Sequence, residues 1–226
     1  MLRRSNTCVM NRYDRRTTLL AAALSALAGF VDAIGFLTMG GFFVSFMSGN
    51  STRFGVGVAQ GSINAAFAGG LIGTFVIGVI LGSMTGHAAG RFRRGWVLTL
   101  VAGLLLVAAA IAPVGEARVA TIILMTLAMG AENAAFEANG EVQIGLTYMT
   151  GTLVKLGQRI AAALRGGDRY AWWPYLLLWG ALAGGAASGA AAYGRFGLGA
   201  LWFAAAGAAA LAVVGWRMPG ARTPAR

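Results

Sequence analysis

The sequence predicts an all-α integral membrane protein with six transmembrane helices, built from two inverted three-helix repeats. Three observations lead to this prediction: the composition, six long apolar stretches and a motif that recurs at constant spacing. Of the 226 residues, 58% are hydrophobic and 11% are charged, whereas charged residues make up about a quarter of a soluble domain. We therefore expect the lipid bilayer to be the main environment of this chain.

Six apolar stretches are long enough to span a hydrocarbon core of about 30 Å, which takes about 20 helical residues. They lie at 18–38, 63–86, 95–114, 117–137, 172–193 and 198–216. The first follows a basic leader, as a secretory signal does, but it contains Asp32 and is echoed later in the chain. We interpret it as a retained first helix.

Two further stretches, 41–60 and 143–164, are only partly apolar, so the chain has either six or eight spans. An eight-span arrangement would bury Arg53, Lys155 and Arg159 in the bilayer, which is costly. Six spans with a cytoplasmic N-terminus instead put 15 of the 18 Lys and Arg residues on the cytoplasmic side. We expect a multi-pass protein of the bacterial inner (plasma) membrane, with both termini cytoplasmic.

The internal repeat is carried by two pairs of segments. FMSGNSTRFG at 46–55 and YMTGTLVKLG at 148–157 place aromatic, Met, hydroxyl, Gly, cation and Gly in register, 102 residues apart. Upstream, GFVDA and GAENA match at a spacing of 101 residues, which aligns Asp32 with Asn133 and leaves Glu132 one position earlier. The acidic group of the first half is thus displaced in the second.

The repeat divides the chain into four parts. A basic arm at 1–16 precedes the first repeat at 17–115; the second repeat at 116–216 is followed by a basic tail at 217–226. Because each repeat has three spans, an odd number, the second must be inverted relative to the first. Inverted repeats are common in secondary transporters, and they also occur in channels.

The run GFVDAIGFLTMGGFFVSFMSGN and its later echo GAENAAFEANGEVQIGLTYMTGTLVKLG resemble the YoaK family of small bacterial membrane proteins, a family of unknown function. The resemblance rests on the G-x-x-D-A element that starts at Gly29 and on the S-G-N element that starts at Ser48. It implies a six-helix membrane protein and does not indicate any activity. Thr152 stands where the first half has Asn50, so the two halves do not predict a symmetric site.

An interrupted segment is expected after the first helix of each repeat. The runs at 48–51 and 150–152 are rich in Ser, Thr and Asn, so we predict that they N-cap short helices. If the segments are re-entrant, the positive ends of these helices point towards the bilayer centre and favour an anion. If they are instead amphipathic surface helices, Lys155 and Arg159 are available to lipid headgroups. The re-entrant and the surface description both apply if only the N-terminal tips of the two helices insert towards the bilayer centre.

The candidate substrate-binding residues are the intramembrane polar groups and the two tips. They are Asp32, Ser48, Gly49, Asn50, Glu132, Asn133, Thr150 and Gly151. Glu137 is predicted to share nearly the same helical face as Glu132. The carboxyl groups either form a proton or cation relay or accept hydrogen bonds from the tips as structural ties.

A glycine ladder, Gly78, Gly82, Gly86 and Gly90, predicts close helix packing, within the monomer or alternatively at a homodimer seam. We expect no enzyme, because no nucleophile, phosphate-binding or metal-ligand motif is present, and for the same reason no cofactor and no metal site. The scattered basic clusters argue against a nucleic-acid partner.

The sequence therefore predicts a small-solute transporter or permease. A small anion, carried with proton coupling, is the first candidate solute, and cation transport through the carboxylates is an alternative. A membrane assembly protein that only organises its partners is the non-transporting alternative.

Overall fold

The computed structural model describes residues 14–138, 141–142 and 144–218. Helices dominate these residues, in agreement with the predicted all-α class. The α-helices are α1 Arg15–Thr38, α2 Met47–Ala59, α3 Ile63–Ala89, α4 Arg93–Ile111, α5 Arg118–Glu132, α6 Met149–Leu164, α7 Trp173–Phe196 and α8 Leu201–Trp216. The two-residue strands β1 Glu137–Ala138 and β2 Glu141–Val142 pair in antiparallel fashion.

Six of these helices coincide with the six predicted spans, and α2 and α6 are the two doubtful stretches. Four helical segments are long and apolar enough to cross a membrane, and they are Arg15–Thr38, Ile63–Ile111, Gly115–Phe136 and Trp173–Trp216. The second and fourth, of 49 and 44 residues, are each divided by a glycine. Gly90 and Gly197 have φ of 53° and 54°, a left-handed conformation that glycine adopts without steric cost.

Glycines bring α1 and α7 into backbone contact. A Cβ atom added at Gly185 would overlap the carbonyl oxygen of Ala26, and one at Gly189 would overlap that of Phe30. Because the contacts advance in the same direction along both helices, α1 and α7 run parallel. Such close approach of two backbones requires small residues at the crossing.

The helices α3 and α5 make the same kind of crossing. A Cβ atom at Gly78 would overlap the carbonyl oxygen of Leu127, and one at Gly82 would lie against the backbone of Ala131. These two helices are therefore also parallel. Gly78 and Gly82 of the predicted glycine ladder therefore pack inside the monomer, whereas a Cβ atom at Gly86 would meet the Arg93 side chain and one at Gly90 would meet nothing within 4 Å.

The remaining long pair, α4 and α8, is antiparallel. Gly95 at the start of α4 lies under the ring of Trp216 at the end of α8, and the Trp216 indole N–H donates to the Thr99 hydroxyl at 3.2 Å. The main apolar core lies among α1, α4, α5 and α8. Its largest fully buried side chains include Leu24, Val31, Leu98, Leu105, Met125, Met129 and Leu201.

The end of α1 lies beside the beginnings of α3 and α5. The Arg118 guanidinium donates a hydrogen bond of 2.8 Å to the carbonyl oxygen of Thr38, which satisfies an acceptor that helix ends leave free. Phe42, in the loop after α1, packs in a small buried cluster with Leu71 of α3 and Ile122 of α5. The directions of α1, α3 and α5 relative to one another follow from these contacts.

Candidate functional site

Asp32 anchors the loop between α1 and α2. Its Oδ1 accepts the backbone N–H groups of Val44 at 2.8 Å and Ser45 at 2.9 Å. Because Asp32 lies six residues before the end of α1 at Thr38, the chain comes back by about 9 Å of helix rise to reach it. The loop therefore returns into the molecule before α2 begins.

Asn50 is a second anchor of the same loop. Its side-chain amide donates to the carbonyl oxygen of Phe43 at 2.7 Å, and its Oδ1 accepts the N–H of Phe43 at 3.1 Å. The side chain is fully buried. The sequence left open that Asn50 donates to a carboxyl group, and the described hydrogen bonds give it a backbone partner instead.

In the corresponding loop before α6, the described hydrogen bonds come from α1, where the Ser25 hydroxyl donates to the carbonyl oxygen of Leu146 at 3.2 Å, and from Asn133. Asn133 Oδ1 accepts the Thr147 hydroxyl at 3.3 Å, and its amide donates to the carbonyl oxygen of Met129 within α5 at 3.0 Å. The Thr152 hydroxyl donates to the carbonyl oxygen of Tyr148 one turn earlier, at 3.2 Å. Thr152 therefore does not reproduce the tie that Asn50 makes to its loop.

The prediction that hydroxyl groups cap the two short helices was wrong. The helices begin one residue before Ser48 and Thr150, and the flanking residues Phe46 and Tyr148 provide no side-chain cap. In the first half, the backbone before the helix is already held by Asp32 and by Asn50. That leaves Ser48 in the first helical turn rather than in the cap position.

Glu132, the last residue of α5, carries a carboxyl group in the apolar core. Its side chain is fully buried, and neither carboxyl oxygen has a hydrogen-bond partner among the described residues. It shares the buried face of α5 with Met125, Ala128 and Met129. An ionised carboxylate without donors in such surroundings is costly, and buried acids in membrane segments are functional candidates.

Glu137 does not share this face. The α-helix ends at Glu132, a short 3₁₀ turn covers Asn133–Phe136, and Glu137 follows in β1. Its Oε2 lies 3.1 Å from Nη1 of Arg93 at the start of α4. The prediction of one polar patch on a continuous helix was therefore wrong, because the helix tightens and ends before it reaches Glu137.

A cavity lies beside Asp32, and we call it the Asp32 cavity. Its volume is about 630 Å³, within the usual range for small-molecule sites. Its walls come from α1, α7 and the two loops that precede α2 and α6. The lining residues are Gly29, Asp32, Ala33, Phe36, Leu37, Phe43, Ser45, Phe46, Thr147, Met149, Leu182, Ala186 and Ala190.

A second cavity, the tip cavity, separates the first turns of α2 and α6. Its volume is about 380 Å³, and its lining residues are Ser45, Phe46, Met47, Ser48, Phe75, Thr147, Tyr148, Met149, Thr150 and Gly151. It shares Ser45, Phe46, Thr147 and Met149 with the Asp32 cavity. The two cavities are therefore adjacent, with Asp32 in the wall of the first and the starts of both short helices in the wall of the second.

The structure divides the predicted site residues into two groups. Asp32, Ser48, Thr150 and Gly151 line the cavities. The other four do not line them: Gly49 packs on Phe rings of its own loop, Asn50 and Asn133 are hydrogen-bonded ties, and Glu132 lies in the core.

Sequence reasoning missed Ser45 and Thr147, which line both cavities. They are 102 residues apart, the spacing of the repeat, so extending the motif by one position would have found them. The lining residue Phe43 has no such signal, since only the return of the loop brings it to Asp32, whereas Phe36 lies one turn after Asp32 on α1 and follows from helical spacing.

Apolar helices of membrane-spanning length around buried polar residues define an α-helical transmembrane protein. The family profile described as "Protein of unknown function (DUF1275)" matches residues 20–214. The chain belongs to this family, and its resemblance to YoaK-type proteins is confirmed.

Two relatives of this chain are named as transmembrane proteins. UPF0700 transmembrane protein RA0705 of Rhizobium meliloti is 34% identical over 200 residues, which cover 88% of this chain and 86% of the relative. UPF0700 transmembrane protein YoaK of Bacillus subtilis is 35% identical over 161 residues, 66% of this chain and 69% of the relative. No solved structure matches the chain.

Proposed function

We propose that the chain crosses the membrane six times, as two inverted three-helix repeats. The two glycine crossings support this proposal. Ala26 and Phe30 of α1 precede Leu127 and Ala131 of α5 by 101 residues in both cases, and their glycine partners on α3 and α7 are offset by a constant 107 residues. Thus the first long helix of each repeat packs against the second long helix of the other repeat.

The basic residues support an orientation with the start of α1 in the cytoplasm. Arg91, Arg93 and Arg94 lie at the junction of α3 and α4, whereas Arg118 lies at the opposite end, against the end of α1. Positive residues near membrane ends favour the cytoplasmic side. The protein is then an inner-membrane protein of bacterial type, with both termini on the cytoplasmic side.

The two short helices fit re-entrant segments whose tips alone are inserted. In α2 the buried residues are Asn50 and Gly57, and in α6 they are Met149 and Thr152, while most of each helix is exposed. Irregular backbone at membrane depth is tolerated where it is buried in protein or lines a cavity. The loops tied to Asp32 and Asn133 meet this condition.

The function that this geometry supports best is that of a small-solute transporter or permease. One observation carries the proposal: the Asp32 cavity and the tip cavity lie on either side of Ser45, Phe46, Thr147 and Met149, where both short helices begin. Transporters with inverted repeats bind their solutes at the repeat interface, between discontinuous helices. The two adjacent cavities have this position in the fold.

The lining of the cavities favours a cationic solute over an anionic one. Asp32 is the one ionisable side chain among the residues that line the larger cavity, and no described Lys, Arg or His lines either cavity. Backbone N–H groups bound to Asp32 orient its carboxylate but do not cancel its charge. A carboxylate in an apolar wall attracts a cation more strongly than it would in water.

A small anion with proton coupling is the second candidate, and the tip cavity supports it. The first turns of α2 and α6 both face this cavity, with the hydroxyl-bearing residues Ser48 and Thr150 in its wall. Helix N-termini favour negative charge. In this alternative, the unpartnered Glu132 carries the proton.

The test is a thermal-shift screen of the purified protein against monovalent and organic cations, small anions and organic acids, followed by uptake into proteoliposomes. A ligand at about 100 times its Kd stabilises the native state by about 2.7 kcal/mol. We expect cations to stabilise the wild type and Asp32→Asn to abolish this response. The exposed Asp168→Asn, in which Oδ1 can still accept the Tyr170 N–H, is the matched control.

The outcomes separate the three candidates. Stabilisation by anions that disappears in a Ser48→Ala, Thr150→Ala double variant would favour the anion transporter. If no solute shifts the melting temperature and none accumulates in vesicles, transport is excluded for the solutes tested and the assembly-protein alternative takes precedence.

A further inference from the structure

The Asp32 cavity combines a negative charge with an aromatic and aliphatic wall. The Phe43 ring contacts two other rings, with ring-centroid distances of 5.0 Å to Phe36 and 5.1 Å to Phe46. All three rings line the cavity together with Asp32. Aromatic rings beside a carboxylate are a combination that suits organic ammonium ions, through cation–π attraction and charge pairing.

Apart from the hydroxyl residues Ser45 and Thr147, the remaining wall is apolar, and this sets a second requirement for the ligand. Leu37, Met149, Leu182 and the α7 alanines offer no oxygen or nitrogen atoms in their side chains for a hydrated inorganic ion. A strongly hydrated ion would therefore lose most of its water without replacement, which is costly. An ammonium ion that carries alkyl or aryl groups would instead bury apolar surface against this wall.

A structural role for the three rings does not account for the cavity. Phe43 and Phe46 do cover the first turn of α2, since a Cβ atom at Gly49 would meet both rings. Their opposite sides nevertheless leave about 630 Å³ of space beside a carboxylate. Phe36 and Leu37, 38% and 45% exposed, place the opening of this cavity on the side of α1 near its end.

We propose that the Asp32 cavity binds a lipophilic organic cation, an ammonium group with an attached apolar body, with the charge beside Asp32 and the apolar part against Phe43 and α7. The inference rests on the proposed transport function and names its substrate class. The contact to Asp32 supplies selectivity for charge, and the apolar wall supplies selectivity against small inorganic ions.

Three probes test the two requirements separately, by calorimetric titration of the full chain in lipid nanodiscs. Benzyltrimethylammonium has both the charge and the apolar body, tetramethylammonium has the charge alone, and phenylmethanesulfonate has the apolar body with a negative charge. We expect benzyltrimethylammonium to bind at least ten-fold more tightly than tetramethylammonium. We expect no measurable binding of the sulfonate.

Variants assign the binding to the cavity. Asp32→Asn keeps an Oδ1 acceptor for Val44 and Ser45, so the loop should fold, and we expect it to weaken benzyltrimethylammonium binding by ten- to hundred-fold. Asp168→Asn, on the exposed surface, should leave binding unchanged. If Asp32→Asn does not fold, Ala190→Leu fills the cavity from α7 and should weaken binding of the same probe.

Equal binding of the cation and the sulfonate, or wild-type affinity in a folded Asp32→Asn or Ala190→Leu protein, would overturn the inference. So would failure of all three probes to bind. In that case the proposed transport function is judged separately, by whether any other solute accumulates in vesicles. Asp32-dependent binding without any vesicle uptake would uphold the cation site and reject transport.

Discussion

The loop before α2 and the loop before α6 follow the same path with different chemistry. In the first, a carboxylate accepts two backbone N–H groups, and Asn50 adds two bonds to Phe43. In the second, among the described residues, Asn133 accepts the Thr147 hydroxyl, the Ser25 hydroxyl donates to the carbonyl oxygen of Leu146, and Thr152 bonds within its own helix. The first half therefore places a carboxylate in the wall of the adjacent cavities, whereas the second half places the hydroxyl groups of Thr147 and Thr150 there.

The largest expected effect comes from breaking the helix crossings that hold the two halves together. Gly185→Ala places a Cβ atom on the carbonyl oxygen of Ala26, and Gly78→Ala does the same at Leu127. Neither backbone can yield without separating the helices, so we expect each variant to lose about 3 kcal/mol of stability. Thermal unfolding followed by size-exclusion chromatography measures the loss.

Gly184→Ala is the control for both crossings, because a Cβ atom at this position meets nothing within 4 Å. It should melt like the wild type. If Gly185→Ala or Gly78→Ala also melted like the wild type, the close backbone contacts would not hold the helices.

The next largest effect is expected when Asn133, which aligns with Asp32, is replaced by an acid. Asn133→Asp adds a carboxylate next to the buried Glu132, where the loop offers Thr147 as a hydroxyl donor in place of two N–H groups. We expect a loss of about 2–3 kcal/mol, the cost of an acid in a membrane interior, measured as a fall in melting temperature. An unchanged melting temperature would mean that the second loop can also hold a carboxylate.

A smaller effect is expected at the residue that follows the first Gly of each motif, which is Asn50 in the first half and Thr152 in the second. Asn50→Ala removes two bonds and leaves both polar groups of Phe43 without a partner, so we expect a loss of about 2 kcal/mol. Thr152→Ala removes one bond within a helix, and we expect less than about 0.5 kcal/mol. Paired melting curves test the difference, and equal losses would contradict the unequal roles assigned here.

The effect of Asp32→Asn on stability is expected to be smaller than that of Asn50→Ala. The amide Oδ1 can still accept from Val44 and Ser45, so the change exchanges charge-assisted bonds for neutral ones. We expect a loss of about 1 kcal/mol, seen in unfolding curves without ligand. A loss above about 3 kcal/mol would mean that the charge itself holds the loop.

The sequence alone determined the helical class and the positions of the six long helices, because apolar length is a local property of the chain. Through the spacing of the motif, it also singled out Asp32, Ser48 and Thr150 as candidate residues, and these residues line the cavities. The family resemblance followed from the same residues and is confirmed by the family match.

Only the tertiary structure decided what the polar residues contact. The bonds of Asp32 to Val44 and of Asn50 to Phe43 depend on a loop that returns along α1, and no spacing rule predicts such a return. The end of α5 at Glu132 separated Glu137 from its expected face and left Glu132 in the core. Which side chains meet across a loop or between helices depends on the packing of distant segments, and local sequence carries little of that information.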